Sequence, residues 1–361
     1  NLIDPFLMKG MISAISKIDE IIKADKKIMI YGDYDVDGTT SVALLYSYLK
    51  KQNANVTYYI PDRYVEGYGV SNLGIEKAKE KDVDLVIVID CGIKANDQID
   101  LANSYKIDVI ICDHHYPGKT LPKAFSILNP KQSDCEYPYK ELCGCGIGFK
   151  LIHAMELNKN RGVEDILEFL DLVSIAICAD IVPLTGENRI LASLGIMQMN
   201  NKLRPGFMNF TKNKKISVSD LIFKIAPRIN AAGRMDHARH AVELMISKDE
   251  KDISSKARAI EFLNSERKLL DKRITKEALE QIENLSEQHH YSTVVFRPDW
   301  HKGVIGIVAS RLIEHHYRPT IVLTKSEKTY SGSARSVKGF DVYKALLNCS
   351  EDLIQFGGHK Y

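Results

Sequence analysis

Lys27-Ile28-Met29-Ile30-Tyr31-Gly32-Asp33-Tyr34-Asp35-Val36-Asp37-Gly38 is the stretch that decides the fold. An apolar run of strand length ends in glycine and alternating aspartates, and a helix-period segment, Thr40 to Lys51, follows at once. Runs of the same kind recur at Val56 to Pro61, Leu85 to Asp90 and Val109 to Asp113. Helix-favouring segments from Leu73 to Lys81 and from Asp97 to Lys106 lie between them, each long enough for a crossover. Apolar strands alternating with helices build a parallel sheet covered by helices, so a doubly wound α/β domain is predicted.

Helical periodicity continues from Gly146 to Asn158, Val163 to Ala179 and Arg189 to Asn200, an extension of the same domain. A charged, helix-favouring stretch from Ser247 through Leu285 reads as one long connecting helix, with Ser247 and Glu250 placed as a capping box. Beyond it a strand (Thr293 to Phe296), a helix (Val304 to His316) and strands at Thr320 to Thr324 and Tyr330 to Ala334 predict a smaller α/β unit. The expected division is 1–246 for the catalytic domain, 247–289 for the connecting helix and 290–361 for the second domain. The chain stops at Tyr361, three residues after a Gly-Gly pair and without a closing element, and is expected to be a piece of a longer protein.

A chain of 361 residues is long enough for two cores. Its 45% apolar and 27% charged composition excludes disordered and collagen-like classes. No apolar run reaches the roughly 20 residues that cross a bilayer, and Asn1 to Gly10 lack the order of a signal peptide, so no membrane role is expected. The odd number of cysteines, 7 in all, predicts free thiols and a cytoplasmic location. Cys143 and Cys145 make only a CxC pair, too little for zinc. A formal charge of +2 identifies no partner, so any grip on nucleic acid must be local.

Doubly wound sheets place functional groups at the carboxyl ends of their strands. Here the first strand runs into Asp33, Asp35 and Asp37, the third ends in Asp90-Cys91-Gly92, and the fourth ends in Asp113-His114-His115. Taken singly, each acid reads as a helix cap or turn former. Together they need mutual charge compensation. Carboxylates with one or two imidazoles suit Mn²⁺ or Mg²⁺, and a paired site activates water for in-line attack on a phosphoester. Asp180, in Ala179-Asp180-Ile181-Val182-Pro183, is evenly balanced between a ligand and a helix end.

At these residues the chain resembles the DHH phosphoesterase superfamily, and within it the RecJ single-strand-specific exonucleases. The four motifs are Gly32 to Gly38, Asp90-Cys91-Gly92, Asp113-His114-His115 and the Asp180 segment. The longer strings Ala226-Pro227-Arg228-Ile229-Asn230-Ala231-Ala232-Gly233-Arg234-Met235 and Trp300-His301-Lys302-Gly303-Val304-Ile305-Gly306 separate RecJ from its cousins.

The resemblance implies a two-metal 5′→3′ exonuclease on single-stranded DNA, releasing 5′-mononucleotides in DNA repair and recombination. A helicase and a single-strand-binding protein would be its partners, and Mn²⁺ or Mg²⁺ its two divalent cations. Asp35, Asp37, Asp90, His114 and Asp180 would be metal ligands, with Asp90 as the bridge. His115 would meet the scissile phosphate, and Asp33 would be an auxiliary ligand. Tyr31 stands where many superfamily members have a ligating histidine. Arg63, Arg228, Asn230 and Arg234 would line the nucleotide path. Ser333 and Arg335 would receive the 5′ end, and Gly357, Gly358 and His359 would meet a phosphate. Tyr64, Tyr68 or Trp300 would stack on bases. The rival readings are a phosphodiesterase for short oligonucleotides or cyclic dinucleotides, a pyrophosphatase, and an inactive replication-scaffold relative.

Overall fold

A computed structural model describes residues 2–211, 215–284, 291–326 and 328–354. The chain divides into two compact units, Asn1–Leu263 and Asn264–Tyr361.

The first unit is built on five parallel strands: β1 (Lys27–Gly32), β2 (Asn55–Tyr59), β3 (Leu85–Ile89), β4 (Asp108–Cys112) and β5 (Ser126–Leu128). Their order is β2-β1-β3-β4-β5, so the direction of winding reverses between β1 and β3. Alternate residues feed two cores. Ile28, Ile30, Leu85, Ile87, Ile89, Ile110 and Cys112 face one side, while Met29, Tyr31, Val86, Val88, Val109 and Ile111 face the other. That double burial is why the strands read as unbroken apolar runs.

The helices are α1 (Met11–Lys23), α2 (Val36–Lys51), α3 (Asn72–Glu80), α4 (Asn96–Ser104), α5 (Gly144–Asn158), α6 (Leu170–Ala179), α7 (Gly186–Asn201), α8 (Pro205–Met208), α9 (Val218–Asp220), α10 (Ala226–Met235), α11 (Arg239–Ile246) and α12 (Glu250–Asn284). Ile75, Ala78, Ile99 and Ala102 of α3 and α4 cover the second face of the sheet. Among the described residues, no helix is long and apolar enough to cross a membrane.

Several expectations are corrected. α2 starts at Val36 rather than Thr40: the Asp35 carboxylate accepts from Gly38 N at 2.9 Å and caps it. Gly38 is there for close approach, since a Cβ would collide with the carbonyl oxygen of Asp33. Residues Val163–Phe169 form a 3-10 segment ahead of α6, not part of one helix. No capping box forms between Ser247 and Glu250. The Asp249 carboxylate accepts from Asp252 N at 2.8 Å, and the Ser247 hydroxyl donates to Asp252 at 2.7 Å. The Ala226 segment is the helix α10, which continues directly from a π-helical turn, Leu221–Ile225, with Pro227 just past that turn.

α12 has 35 residues, about 52 Å of helix, and the division between the two units falls within it. The second unit contains β6 (Thr293–Phe296), α13 (Ile305–His315), β7 (Thr320–Ser326), β8 (Thr329–Arg335) and α14 (Val342–Asn348). β6 and β7 are parallel, and β7 and β8 antiparallel. Asp271 of α12 takes a two-pronged ion pair from Arg311 of α13 at 2.7 and 2.9 Å. Trp300 is 2% exposed, and its indole N–H donates to Glu277 at 2.8 Å. It is a core residue of this unit and does not stack on bases.

Candidate metal centre

The carboxyl ends of β1, β3 and β4 bring the acids together. The His114 Nε2 lies 3.2 Å from an Asp90 oxygen, 3.6 Å from Asp180 and 3.8 Å from Asp37. Potential ligand atoms fall within 4.8 Å of one another in three overlapping sets: Asp37, His114 and Asp180; Asp33, Asp35 and Asp90; and Asp90, His114 and His115. Asp90 joins the two sides. Among the described residues, the buried Oδ1 atoms of Asp33 and Asp90 and both ring nitrogens of His114 have no hydrogen bond.

Burial and neighbouring carboxylates raise the acids together. Burial, then the charge of Asp35, pushes Asp33 up to about 8 and Asp37 to about 6. Burial and Asp37 push Asp180 to about 7 and hold Asp90 well above the usual carboxylate range. Burial and the neighbouring His115 lower His114, leaving its imidazole neutral at pH 7. A cluster of buried carboxylates, a neutral imidazole and orphaned lone pairs fits divalent cations: oxygen and nitrogen donors are present, and compensating positive charge is what they need.

Main-chain groups hold the cluster in place. Asp37 accepts from Gly144 N at 2.6 Å and Cys145 N at 2.7 Å, the unpaired donors of the first turn of α5. This approach requires glycine, because a Cβ on Gly144 would lie 2.7 Å from the Asp90 Cβ and Oδ1. Gly144→Ala is therefore expected to cost about 1–3 kcal/mol of stability, the usual range for overpacking, measurable by urea unfolding. Asp113 is not itself among the clustered ligands. It accepts from Ile93 N and His115 N at 2.9 and 3.0 Å and from His115 Nδ1 at 2.7 Å. Burial opposes a proton on His115, yet the hydrogen bond and charge of Asp113 raise it overall.

Two residues at the site have left-handed backbone, Asp90 (φ +63°) and Ile181 (φ +58°). Conformations of this kind cost of order 1–3 kcal/mol each and gather at functional sites.

The remaining sequence-predicted residues divide. Arg63 stacks on Tyr34, 4.2 Å from the ring centroid, and its charge acts on Asp33. Tyr68 lies at the site, its hydroxyl 3.2 Å from His115 Nε2. Tyr31 is buried on the other side of the sheet and donates to the carbonyl of Gly69 at 3.0 Å, so it offers no ligand to this cluster. Arg228 forks onto Glu261, at 2.5 and 3.1 Å. Asn230 is half-buried on α10. The carbonyl of Arg234 accepts from the Tyr64 hydroxyl, and the adjacent Gly233 presses on the backbone of Tyr34. In the second unit, Ser333 and Arg335 meet at Gly306, and Arg335 donates to the Ser310 hydroxyl at 3.2 Å. Gly357, Gly358 and His359 lie outside the described residues.

A doubly wound sheet with this edge is the DHH type of domain. Residues 27–177 match the DHH family, N-terminal domain, and 287–361 match the DHHA1 domain. The single-stranded-DNA-specific exonuclease RecJ of Bacillus subtilis (strain 168) is 41% identical over 99% of this chain, which spans 45% of that protein. A crystal structure of exonuclease RecJ bound to manganese superposes with a TM-score of 0.86 at 30% identity, over 98% of this chain and 89% of that one. RecJ from Thermus thermophilus in complex with Mg²⁺ gives 0.77 at 26% identity, over 98% of this chain and 48% of that one. The chain belongs to the RecJ family.

Proposed function

We propose that this chain is the catalytic part of a metal-dependent exonuclease that hydrolyses single-stranded DNA from the 5′ end, releasing 5′-mononucleotides for repair and recombination. The observation that carries the reading is the cluster of buried, uncompensated carboxylates around His114. RecJ relatives named for single-stranded-DNA-specific exonuclease activity, and RecJ structures holding Mn²⁺ and Mg²⁺, support it.

In this reading Asp35, Asp37, Asp90, His114 and Asp180 hold two divalent cations, with Asp90 between them. When bound, such a pair supplies a nucleophile from water at neutral pH and neutralises charge on the phosphoryl group. Asp33, whose carboxylate lies within 4.8 Å of Asp35 and Asp90, is an auxiliary ligand. The Nδ1–H of His115 is held by Asp113, and its Nε2, which meets the Tyr68 hydroxyl at 3.2 Å, would turn to the phosphate and supply a proton for the charge that develops there. Arg63, poised over Tyr34, supplies a second positive group. Arg234 and Asn230 line the nucleotide path from α10, and Arg228 joins them by exchanging Glu261 for phosphate. Ser333 and Arg335 receive the 5′ end, and Gly357, Gly358 and His359 meet a phosphate. The division into catalytic domain (1–246), connecting helix (247–289) and substrate-binding domain (290–361) belongs to the same reading. All seven cysteines are free, which suits a cytoplasmic protein. Strands must be opened and kept single for it, the work of a helicase and a single-strand-binding protein.

The test is end-labelled single strands with Mn²⁺ or Mg²⁺. Mononucleotides released from the 5′ end, abolished by chelator and by pairing the strand, are expected. Release from the 3′ end refutes the polarity, no release marks a scaffold, and stalling on long strands marks a short-oligonucleotide enzyme.

A further inference from the structure

We infer that Ile181, with Leu184 beside it in the same loop, is a substrate contact: an apolar prow that packs against the nucleoside next to the scissile phosphate and favours unstacked bases. The inference rests on the nuclease reading above and adds to it a residue that selects the single strand.

Ile181 directly follows Asp180, whose carboxylate reaches His114 at 3.6 Å. α6 ends at Ala179, and Ile181 takes the left-handed position after the cap, where helices usually carry glycine. A β-branched residue is the worst suited to that conformation. Its side chain is nevertheless 90% exposed, so no burial offsets the strain. The loop that follows is fixed from several directions. The Tyr139 hydroxyl donates to the carbonyl of Pro183 at 3.1 Å, and Asn188 Nδ2 donates to the same carbonyl at 3.1 Å and to that of Glu141 at 2.6 Å. Leu184, on this fixed loop, is 46% exposed.

An exposed, strained isoleucine on a rigid loop does nothing for the free protein. One Cα step of about 3.8 Å separates it from a residue of the metal cluster, so its side chain can reach the nucleoside attached to the phosphate under attack. Aliphatic carbon forms no hydrogen bond with a base, so the contact is with a base face or the deoxyribose and is blind to sequence. Base faces inside a duplex are covered by their neighbours, whereas those of a single strand are open.

The test uses Ile181→Asn, which suits a left-handed backbone, and Ile181→Val, which keeps the apolar branch. Melting temperature, Mn²⁺ affinity by calorimetry, and KM and kcat on single-stranded oligothymidylate are measured for the whole chain. Ile181→Asn is expected to melt a few degrees higher, to bind Mn²⁺ as the wild type does, and to raise KM about tenfold, the loss falling on KM rather than kcat. Ile181→Val is expected to stay within about twofold of the wild-type KM, having kept its branched carbons. An unchanged KM in Ile181→Asn overturns the inference. So does a fall in Mn²⁺ affinity, which would make Ile181 a support for Asp180. Anisotropy of the labelled strand in chelator keeps the two readings apart: a wild type that releases no nucleotide sinks the nuclease reading, whereas equal strand affinity of wild type and Ile181→Asn sinks this one.

Discussion

Asp90→Asn is expected to slow nucleotide release by about three orders of magnitude or more, roughly 4 kcal/mol of barrier, while leaving the metal-free protein as stable as the wild type or more so. Both halves follow from the same geometry. Asp90 joins the Asp33–Asp35 side of the cluster to the His114 side, so in the proposed two-cation site removing its charge would weaken both subsites at once. In the metal-free protein, the same carboxylate sits buried among Asp37, Asp35 and Asp180 in a left-handed backbone. Asparagine keeps the shape, tolerates that backbone and stays neutral at every pH, as the metal-free carboxylate does only by holding a proton. Rates from single-turnover cleavage and melting curves in chelator check the two halves separately. Activity within tenfold of wild type, or a marked drop in melting temperature, would contradict the role of Asp90 as the shared ligand.

The catalytic sheet was legible because its strands are buried on both faces, and β1, β3 and β4 fall within a residue or two of their apolar runs. β5 was not, since three residues carry no periodicity. α1 escaped for a different reason: its apolar spacing is regular, but Gly10 precedes it with no capping side chain to announce a start. At the site, the acids declared themselves by residue type at successive strand ends. Their supports did not, because Gly144 and Cys145 act through main-chain N–H groups that any residue possesses. The one clue to them in the sequence is the glycine-flanked opening of α5, Gly144-Cys145-Gly146, where backbone can approach closely. Long-range pairing was equally hidden. Nothing near Arg228 foretells its fork onto Glu261, nor anything near Trp300 its bond to Glu277. Ile181 is an opposite case, an ordinary residue whose meaning lies wholly in its backbone angle.

Between pH 6.5 and 8.5, the metal-free and metal-loaded proteins are expected to respond to pH in opposite directions. Asp180 is raised to about 7 and Asp33 to about 8, against 3.8 for an ordinary aspartate. The folded state therefore binds more protons than the unfolded chain across this interval, and stability falls as pH rises through it. His114 has the opposite sign, since its folded value is lowered from 6.5, but that contribution fades over about the first pH unit above 6.5. The raised His115 loses its stabilising proton as pH climbs and so adds to the fall. With Mn²⁺ present, the carboxylates are held ionised by the cations, and affinity improves as protons stop competing for the ligands. Binding to the folded state alone then adds stability that grows with affinity. The gap between the melting temperatures with Mn²⁺ and with chelator should widen by on the order of 5 °C over the interval. Scanning calorimetry at several pH values checks this, and a constant gap would mean that these carboxylates do not exchange protons for metal.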